Sequence, residues 1–463
     1  MAVLIYKIKK KCPLYLVRLF IAFLTAGFLL VNAGMSNAQD SPRTAGGDQQ
    51  SAMTLLQTVE EAIRANLAMK KSRQEIEAAR NNQKVQRSNF LPTLNATYQV
   101  VRNDQEASIG GFTGGFTTLR DQISLTTGFK QPIFTGFELV NQYKIAGLGL
   151  DVAELNQILT RLDVIFEAKR VYFNILKAQK LVEVALDSVK LLEAQVDVAR
   201  NFYEVGMTPL NDLLQTQVEL ANTKQDLIVA RNNLSVAESE FNVALRRNVN
   251  APVRLTDIQT YKPLEEDVDF YLNLAEKNRL EVKVDNLQIQ IAEKELNISR
   301  KDFFPTVSLE GFYFKRGSNW DLCSEDDEFV DPDGWAVTGI ATWDFWQWGK
   351  TAFGERERRN RLSQARISRE QTLDRIRIDV EQSFLKVNES EKNIVTVEKA
   401  IQQAEENMRI TEERYKEQAA TSTDILIAQN LLNRTRTNYF NSLYDFKIAK
   451  AFLQRAIGLE IME

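Results

Sequence analysis

FLPTL at Phe90 to Leu94 and FFPTV at Phe303 to Val307 are one phrase written twice, 213 residues apart, and this pair decides the architecture. A fixed offset of that kind marks an internal repeat and is read before any local pattern. At the same offset Ala62 and Leu67 fall on Ala275 and Leu280, and Thr135 and Gly136 on Trp348 and Gly349. Farther on the offset becomes 212: Tyr203, Asp212 and Gln217 fall on Tyr415, Asp424 and Gln429, so one deletion separates the copies. Apolar positions repeat as well as letters. Val182, Ala185, Val189, Leu192, Val196, Ala199 and Tyr203 alternate three and four apart, and the second copy answers with Ile394, Val397, Ile401, Ala404, Met408, Thr411 and Tyr415. This is a heptad seam present twice, with one polar break at Thr411. Two unrelated coiled coils would share heptads, but not their spacing to a Pro, a Gly and a turn Asp.

Each copy is expected to hold long helices around a β-hairpin. From Gly136 to Val205 there is no proline in 70 residues and the pattern is amphipathic, which predicts a helix of roughly 105 Å. Gly349 to Gln418 has the same length. The flanking stretches Thr54 to Ser88 and Leu210 to Arg247 predict further helix. Thr208 and Pro209 read as an N-cap and first helical residue after a reversal near Gly206, and Thr421 to Asp424 supply capping residues at the matching place. The segment Asn250 to Tyr271, with Pro252 and Pro263, joins the copies and has room for a small strand or short helices.

Between Pro92 and Phe134 the period changes to two. Leu94, Ala96, Tyr98 and Val100 alternate with Asn95, Thr97 and Gln99, and Ile123, Leu125 and Phe129 alternate with polar residues on the return. The second copy gives Val307, Leu309 and Tyr313, then Val337, Ala341, Trp343 and Phe345 against Thr338, Thr342 and Asp344. Runs of about 10 residues match tilted membrane-crossing strands. A half-exposed soluble hairpin would alternate too, but all five Trp residues, Trp320, Trp335, Trp343, Trp346 and Trp348, lie in or beside the second hairpin, as an interfacial girdle would place them. Trp343, Phe345, Trp346 and Trp348 are the candidate interface aromatics. One hairpin tip, Ile109 to Phe116, is Gly-rich; the other, Asp321 to Asp333, is acidic but lacks the EF-hand spacing, so it reads as a solvated loop.

Lys7, Lys9, Lys10, Lys11 and Arg18 before an apolar run from Leu19 to Val31, with Ser36 to Ala38 behind it, predict a cleaved export signal over 1–38. Without those five basic residues, 53 basic face 62 acidic, a net charge of −9, which argues against a nucleic-acid binder. Beyond the signal no segment approaches the roughly 20 apolar residues of a membrane helix, so insertion must use strands. Histidine is absent and Cys323 would be the only mature cysteine, which removes His-based general acid–base chemistry and thiolate metal cages. No cofactor is expected, and no catalytic motif places the carboxylates for an enzyme. Four strands cannot close a barrel, and membrane strands leave no open edge. Two chains give eight strands, which side chains can fill; three give twelve and a lumen.

In combination, FLPTL and FFPTV entering the hairpins, QPIFTG (Gln131 to Gly136) and DFWQWG (Asp344 to Gly349) leaving them, and YEVGMTPLNDLLQTQ (Tyr203 to Gln217) resemble the TolC family of outer-membrane efflux channels over almost the whole mature chain. The resemblance implies a mostly α fold with a β part: a homotrimer whose 12-stranded outer-membrane β-barrel is continued by a periplasmic α-helical barrel. It also implies a passive exit duct, in efflux of small molecules or type I secretion, that works with a periplasmic adaptor and an inner-membrane transporter. In the family the turns between long and short helices form the adaptor-docking tip; the matching positions are Gly206, Met207, Thr208 and Pro209, with Ala420 and Thr421 in the second copy. Gln418 stands there in place of glycine. The family's constriction uses two second-copy aspartates three residues apart: Asp424 matches the first and Ile427 occupies the second. For Asp424, helix capping is the competing role.

The expected organisation is a signal at 1–38, a linker at 39–53, a first repeat at 54–248 with its hairpin at about 92–134, an inter-repeat linker at 249–271, and a second repeat at 272–463 with its hairpin at about 305–346. Two other functions fit parts of the pattern. A periplasmic coiled-coil scaffold that never inserts would use the helices alone, and a periplasmic adaptor also has a helical hairpin but not a strand pair in each copy.

Overall fold

The structure is a computed structural model, and it describes residues 52–104, 107–109, 116–118, 121–258, 260–317, 322 and 333–460. The expected export signal, nearly all of the linker at 39–53, and most of both hairpin tips, including Trp320 and Cys323, lie outside the described residues.

The first copy runs α1 (Leu55–Ala65), α2 (Leu67–Ser88), β1 (Thr93–Arg102), the short strands β2 (Ala107–Ile109) and β3 (Phe116–Thr118), β4 (Asp121–Thr135), α3 (Glu138–Glu204) and α4 (Leu210–Ala244). The second runs α5 (Val268–Asn278), α6 (Leu280–Ser299), a 3-10 turn, β5 (Thr306–Gly317), β6 (Asp333–Thr342), α7 (Lys350–Lys416) and α8 (Ser422–Ala456). The helices form one compact unit and the residues 90–135 and 305–343 belong to another.

Within the helical unit the duplication is stricter than the letters. Both long helices have 67 residues, about 100 Å at 1.5 Å per residue, and both partners that follow them have 35. The first helical segment of each copy is cut at the same place for different reasons. Asn66 turns extended and its side chain accepts from the Ala68 N–H at 2.7 Å, capping α2. Its counterpart Arg279 is only 4 % exposed and is held by Asp379 at 3.1 Å and Glu281 at 3.3 Å. Burial lowers the Arg279 pKa, and the flanking carboxylates oppose that shift.

The helices pack side by side in two sequences, α2–α3–α6–α7 and α4–α3–α8–α7. Because α3 is packed on both sides, its buried face is wider than a single seam. Val184 and Ser188 join Val189, Leu192, Val196 and Ala199, while Val182 and Ala185 are only half-buried. The expected end of the seam at Tyr203 is corrected: Tyr203 is exposed, and Phe202 instead meets Tyr415 with ring centroids 5.5 Å apart. On α7, packed mainly from one side, the seam Ile394, Ala404, Met408 and Tyr415 is buried.

Two apolar clusters pin α1 and α5 to the long helices. One gathers Val59, Tyr172, Ile175, Leu176, Phe241 and Tyr444; the other Ala275, Ile376, Val380, Phe446 and Leu453. Among its described residues the linker between copies adds no strand beyond one parallel bridge of Met53 to Leu255, and α5 already begins at Val268. It is tied down by side chains: Tyr444 donates to Asp257 at 2.9 Å, and Asn242, wholly buried, donates to the carbonyls of Val249 and Ala251.

Phe241 is wholly buried in the first cluster, so Phe241→Ala is expected to cost about 3–5 kcal/mol. Gln225→Ala, on the exposed side of the same helix, should stay within about 0.5 kcal/mol; denaturant unfolding followed by far-UV circular dichroism checks the contrast.

Candidate functional site

Two places carry chemistry suited to the expected role: the four-stranded sheet, and the turns joining the long helices to their partners.

The sheet has the order β1-β4-β5-β6, every neighbouring pair antiparallel. Its register sorts the side chains. Leu94 pairs with Phe129, Tyr98 with Leu125 and Val100 with Ile123. Farther across, Phe129 meets Gly311, Tyr313 meets Trp335, and Gly311 meets Val337. Since alternate residues share a face, these all lie on one side, which is mainly apolar, with Thr127 between Ala96 and Tyr313 and the charged Arg102 and Lys315 near the hairpin tips. The other side carries Asn95, Thr97, Gln99, Ser124, Thr126, Lys130, Glu310 and Thr338, with a Lys130–Glu310 ion pair at 2.8 Å. A bulge between Pro132 and Phe134 changes the parity of β4, so that Phe134 pairs with Val307 and stays on the apolar side.

The apolar side is open except at Ile123, which is buried. Leu94 is 78 % and Trp335 77 % exposed, and Val337, Tyr98 and Val100 are exposed with them. Two glycines on the sheet are covered by rings: Phe129 lies where a Cβ of Gly311 would point, and the Phe314 ring is 3.0 Å from that of Gly334. Phe312 and Phe314 depart from the pattern by facing the polar side, where Arg316 lies 4.8 Å over the Phe314 ring. The uninterrupted run Phe312, Tyr313, Phe314 hides its period, so sequence alternation misses them.

The interface aromatics are corrected in one respect. β6 ends at Thr342, paired with Thr306, because the residue before Thr306 is Pro305, which has no N–H to extend the ladder. Trp343, Phe345, Trp346 and Trp348 therefore lie outside the strand. All four are exposed, Trp348 at 86 %, and the Trp346 and Trp348 rings meet edge-on at 5.7 Å.

At the helix turns the two copies share a backbone. Gly206 has φ +76° and Gln418 φ +59°. In the first copy Met207 N–H donates to Phe202 O at 2.8 Å and Gly206 N–H to Tyr203 O at 2.9 Å; in the second Ala419 donates to Arg414 at 2.7 Å and Gln418 to Tyr415 at 3.0 Å. Both are left-handed caps of the Schellman type. The missing glycine therefore changes the cost and not the shape, and Gln418 donates to the Met207 sulfur at 3.2 Å. The expectation for Thr208 and Pro209 is corrected: Pro209 has ψ 155°, so it is itself the N-cap of α4 and Leu210 is the first helical residue. Thr208 Oγ1 is buried without a hydrogen bond among the described residues.

Thr421, the counterpart of Pro209, caps α8 through a reciprocal box. Its side chain accepts from Asp424 N–H at 3.2 Å, while the Asp424 carboxylate accepts from the Thr421 N–H at 2.9 Å and hydroxyl at 2.8 Å. These bonds, the backbone one foremost, hold the Asp424 carboxyl below its usual 3.8, so it is an anion at neutral pH. Ile427 stands three residues on, 63 % exposed, on the same side of the helix. Ala420 is half-buried against the apolar cluster that includes Tyr415 and Ile425. Below the turn Tyr415 is buried with no hydrogen bond for its hydroxyl among the described residues; burial, and then the charge of Asp212, raise its pKa. Sequence reasoning places these residues at the turn but has no signal for Gln418, since a left-handed glutamine carries no letter pattern.

A long-helix ribbon, a sheet with one lipid-compatible face and paired capped turns define a membrane-channel class of protomer. The family model described as outer membrane efflux protein matches this chain twice, over residues 58–245 and 271–459. The chain belongs to that family. It is 20 % identical over 375 residues to the outer membrane protein TolC of Vibrio cholerae, covering 80 % of this chain and 83 % of that one. It is 20 % identical over 418 residues to TolC of Escherichia coli, covering 88 % and 82 %. Among solved structures, the CmeC outer membrane channel of Campylobacter jejuni superposes with a TM-score of 0.75 at 15 % identity, covering 92 % of this chain and 94 % of that one. The protein is one of the bacterial outer membrane, extending into the periplasm, and its family consists of channels rather than enzymes.

Gly206 has open space around a would-be Cβ, so Gly206→Ala tests backbone conformation alone and should cost about 1 kcal/mol. Gln418→Gly should gain a similar amount. Opposite shifts of the thermal midpoint are the expected result, and equal shifts would contradict the shared cap.

Proposed function

We propose that three copies of this chain close into one passive duct, through which an inner-membrane transporter, coupled by a periplasmic adaptor, discharges its cargo. The observation that carries this reading is the sheet: four strands, apolar on one side and polar on the other, with β1 and β6 as open edges. Three such sheets give twelve strands, enough for a water-filled lumen lined by the polar side and a surface of apolar side chains toward lipid. The helical ribbon supports the same closure. Its edge helix α4 exposes Leu214, Val218, Val229, Val236 and Val243 along one stripe, and α7 at the other edge exposes Ile367, Ile378 and Leu385. Apolar stripes of that length are expected to bury against a neighbouring copy.

The turns are the proposed adaptor-docking tip. Met207, with Val205 and Leu210 beside it, is exposed next to Gly206, Thr208 and Pro209, and Ala420 and Thr421 form the matching turn with the same backbone. Asp424 and Ile427 are proposed to give a constriction of one carboxylate ring with an apolar ring beside it. Capping and gating are compatible, since the carboxylate stays ionised while it accepts from Thr421.

Planar-bilayer recording separates the two roles. Asp424→Asn keeps an oxygen for the cap and removes the charge; it should weaken block by multivalent cations with a smaller loss of stability than Asp424→Ala, which also loses the acceptor for the Thr421 N–H and hydroxyl. Because the folded pKa is depressed, the cap's stability contribution is fully present above the ordinary value of 3.8, and the charge, the block and that contribution are lost as pH falls through the lower folded value. Unchanged block in Asp424→Asn contradicts the constriction.

The sheet faces give a second test. Val337→Lys, on the apolar side, should lose heat-resistant trimer from outer-membrane fractions, at about 2–4 kcal/mol for a mid-bilayer charge. Thr338→Lys, one residue on and facing the lumen, should assemble and alter conductance; equal loss in both rules out the assignment of faces.

A further inference from the structure

A cavity of about 280 Å³ lies where the linker between copies passes α3 and α8, and its wall holds Lys169, Lys262, Lys447 and Lys450. None of the described residues lining it is acidic. The ammonium groups are held by neutral acceptors: Lys447 donates to the Thr260 carbonyl at 2.7 Å, Lys450 to the Lys262 carbonyl at 3.0 Å and Lys169 to Gln454 Oε1 at 2.9 Å. An ammonium has three N–H groups, so the carbonyl bond of Lys447 and that of Lys450 each occupy one. The carboxylates that act on these lysines stand outside the wall. Asp257 is engaged by the Tyr444 hydroxyl at 2.9 Å and lies 3.7 Å from Lys180, and Glu391 and Glu265 act on Lys450 at longer range.

The remaining wall is apolar. Lys447 stands 5.7 Å over the Phe173 ring and Lys450 5.9 Å over the Phe446 ring, with Leu55, Ile258 and Tyr261 completing the surface. Burial lowers Lys169 and Lys447 to about 8, so gathering positive charge here is costly without a counter-charge. These lysines come from three segments far apart in sequence, and only folding assembles them.

We propose that this cavity binds a small organic anion with an apolar body, of the class of an aromatic carboxylate. The carboxylate would accept from Lys447 and Lys450, and the ring would lie against Phe173 and Phe446. An inorganic anion would satisfy the charges but leave the aromatic wall without a partner. The bound anion would join the linker at Lys262 to α8, a role separate from conduction.

Equilibrium dialysis of the detergent-solubilised full chain against radiolabelled benzoate tests this. Saturable binding is expected, with no competition from benzyl alcohol and weaker competition from inorganic phosphate. Lys447→Gln combined with Lys450→Gln should weaken binding by about tenfold or more. Absence of saturable binding, equal competition by benzyl alcohol, tighter binding of phosphate, or unchanged binding in the double variant would each overturn the proposal. Should the double variant fail to fold, the unaltered protein decides: benzoate should slow reductive methylation of Lys447 several-fold and leave exposed Lys71 unaffected, and lack of protection refutes the site.

Discussion

The hydrogen-bonding groups on the outer edges of β1 and β6 are the constraint on which the rest depends. Each strand has 10 residues and only one neighbour among the described residues, and an unpaired N–H or C=O in hydrocarbon costs several kcal/mol. A sheet with an apolar face belongs in lipid, but its edges forbid it to be there alone. In the proposed assembly, closure with other copies resolves the conflict, and the exposed apolar stripes on α4 and α7 support the same reading. In the family to which the chain belongs, the resulting object is a channel.

Within the helices the repeat is conserved as backbone rather than as glycine. Left-handed residues occur in pairs at the 212-residue offset: Gly206 with Gln418, Arg246 with Gly458, Gly136 with Trp348, and Phe137 with Gly349. In each pair one copy has glycine and the other does not. A Cβ at Gly136 would fall 2.5 Å from the Lys301 carbonyl oxygen, so that turn needs glycine for space as well as conformation. Elsewhere about 1–2 kcal/mol of strain is accepted at the non-glycine member because helices of 67 and 35 residues fix the turn between them. Deriving the offset from glycines alone places the deletion after Gly136, whereas the backbone places it before that residue. Aligning Gly136 with Gly349 gives 213, whereas the helices and their left-handed starts give 212.

Much of this was legible in the sequence because long-range order here is built from simple periods. Helix length followed from the absence of proline, hairpin faces from a period of two, and the turns from Gly206 and Asp424. What failed had local causes. Tyr203 left the seam because α3 is packed on two sides, a fact of tertiary neighbours. β6 stopped short because Pro305, on another strand, cannot donate. Phe312 and Phe314 faced the polar side inside a run with no visible period. The turn was legible as a place, but its reciprocal Thr421–Asp424 box and the left-handed Gln418 required coordinates. The lysine cavity was invisible because its parts are nearly 300 residues apart in the chain.

The central claim is that β1 of one copy completes the ladder of β6 of the next, and cysteine cross-linking across those edges tests it most directly. In a Cys323→Ser background, cysteines scanned along β1 from Asn95 to Val101 are paired with cysteines along β6 from Trp335 to Ala341 and oxidised in outer-membrane fractions. The account predicts that pairs on the same face, in one antiparallel register, give a ladder that stops at three chains. Cross-links confined to single chains, or ladders that run past three, would contradict it.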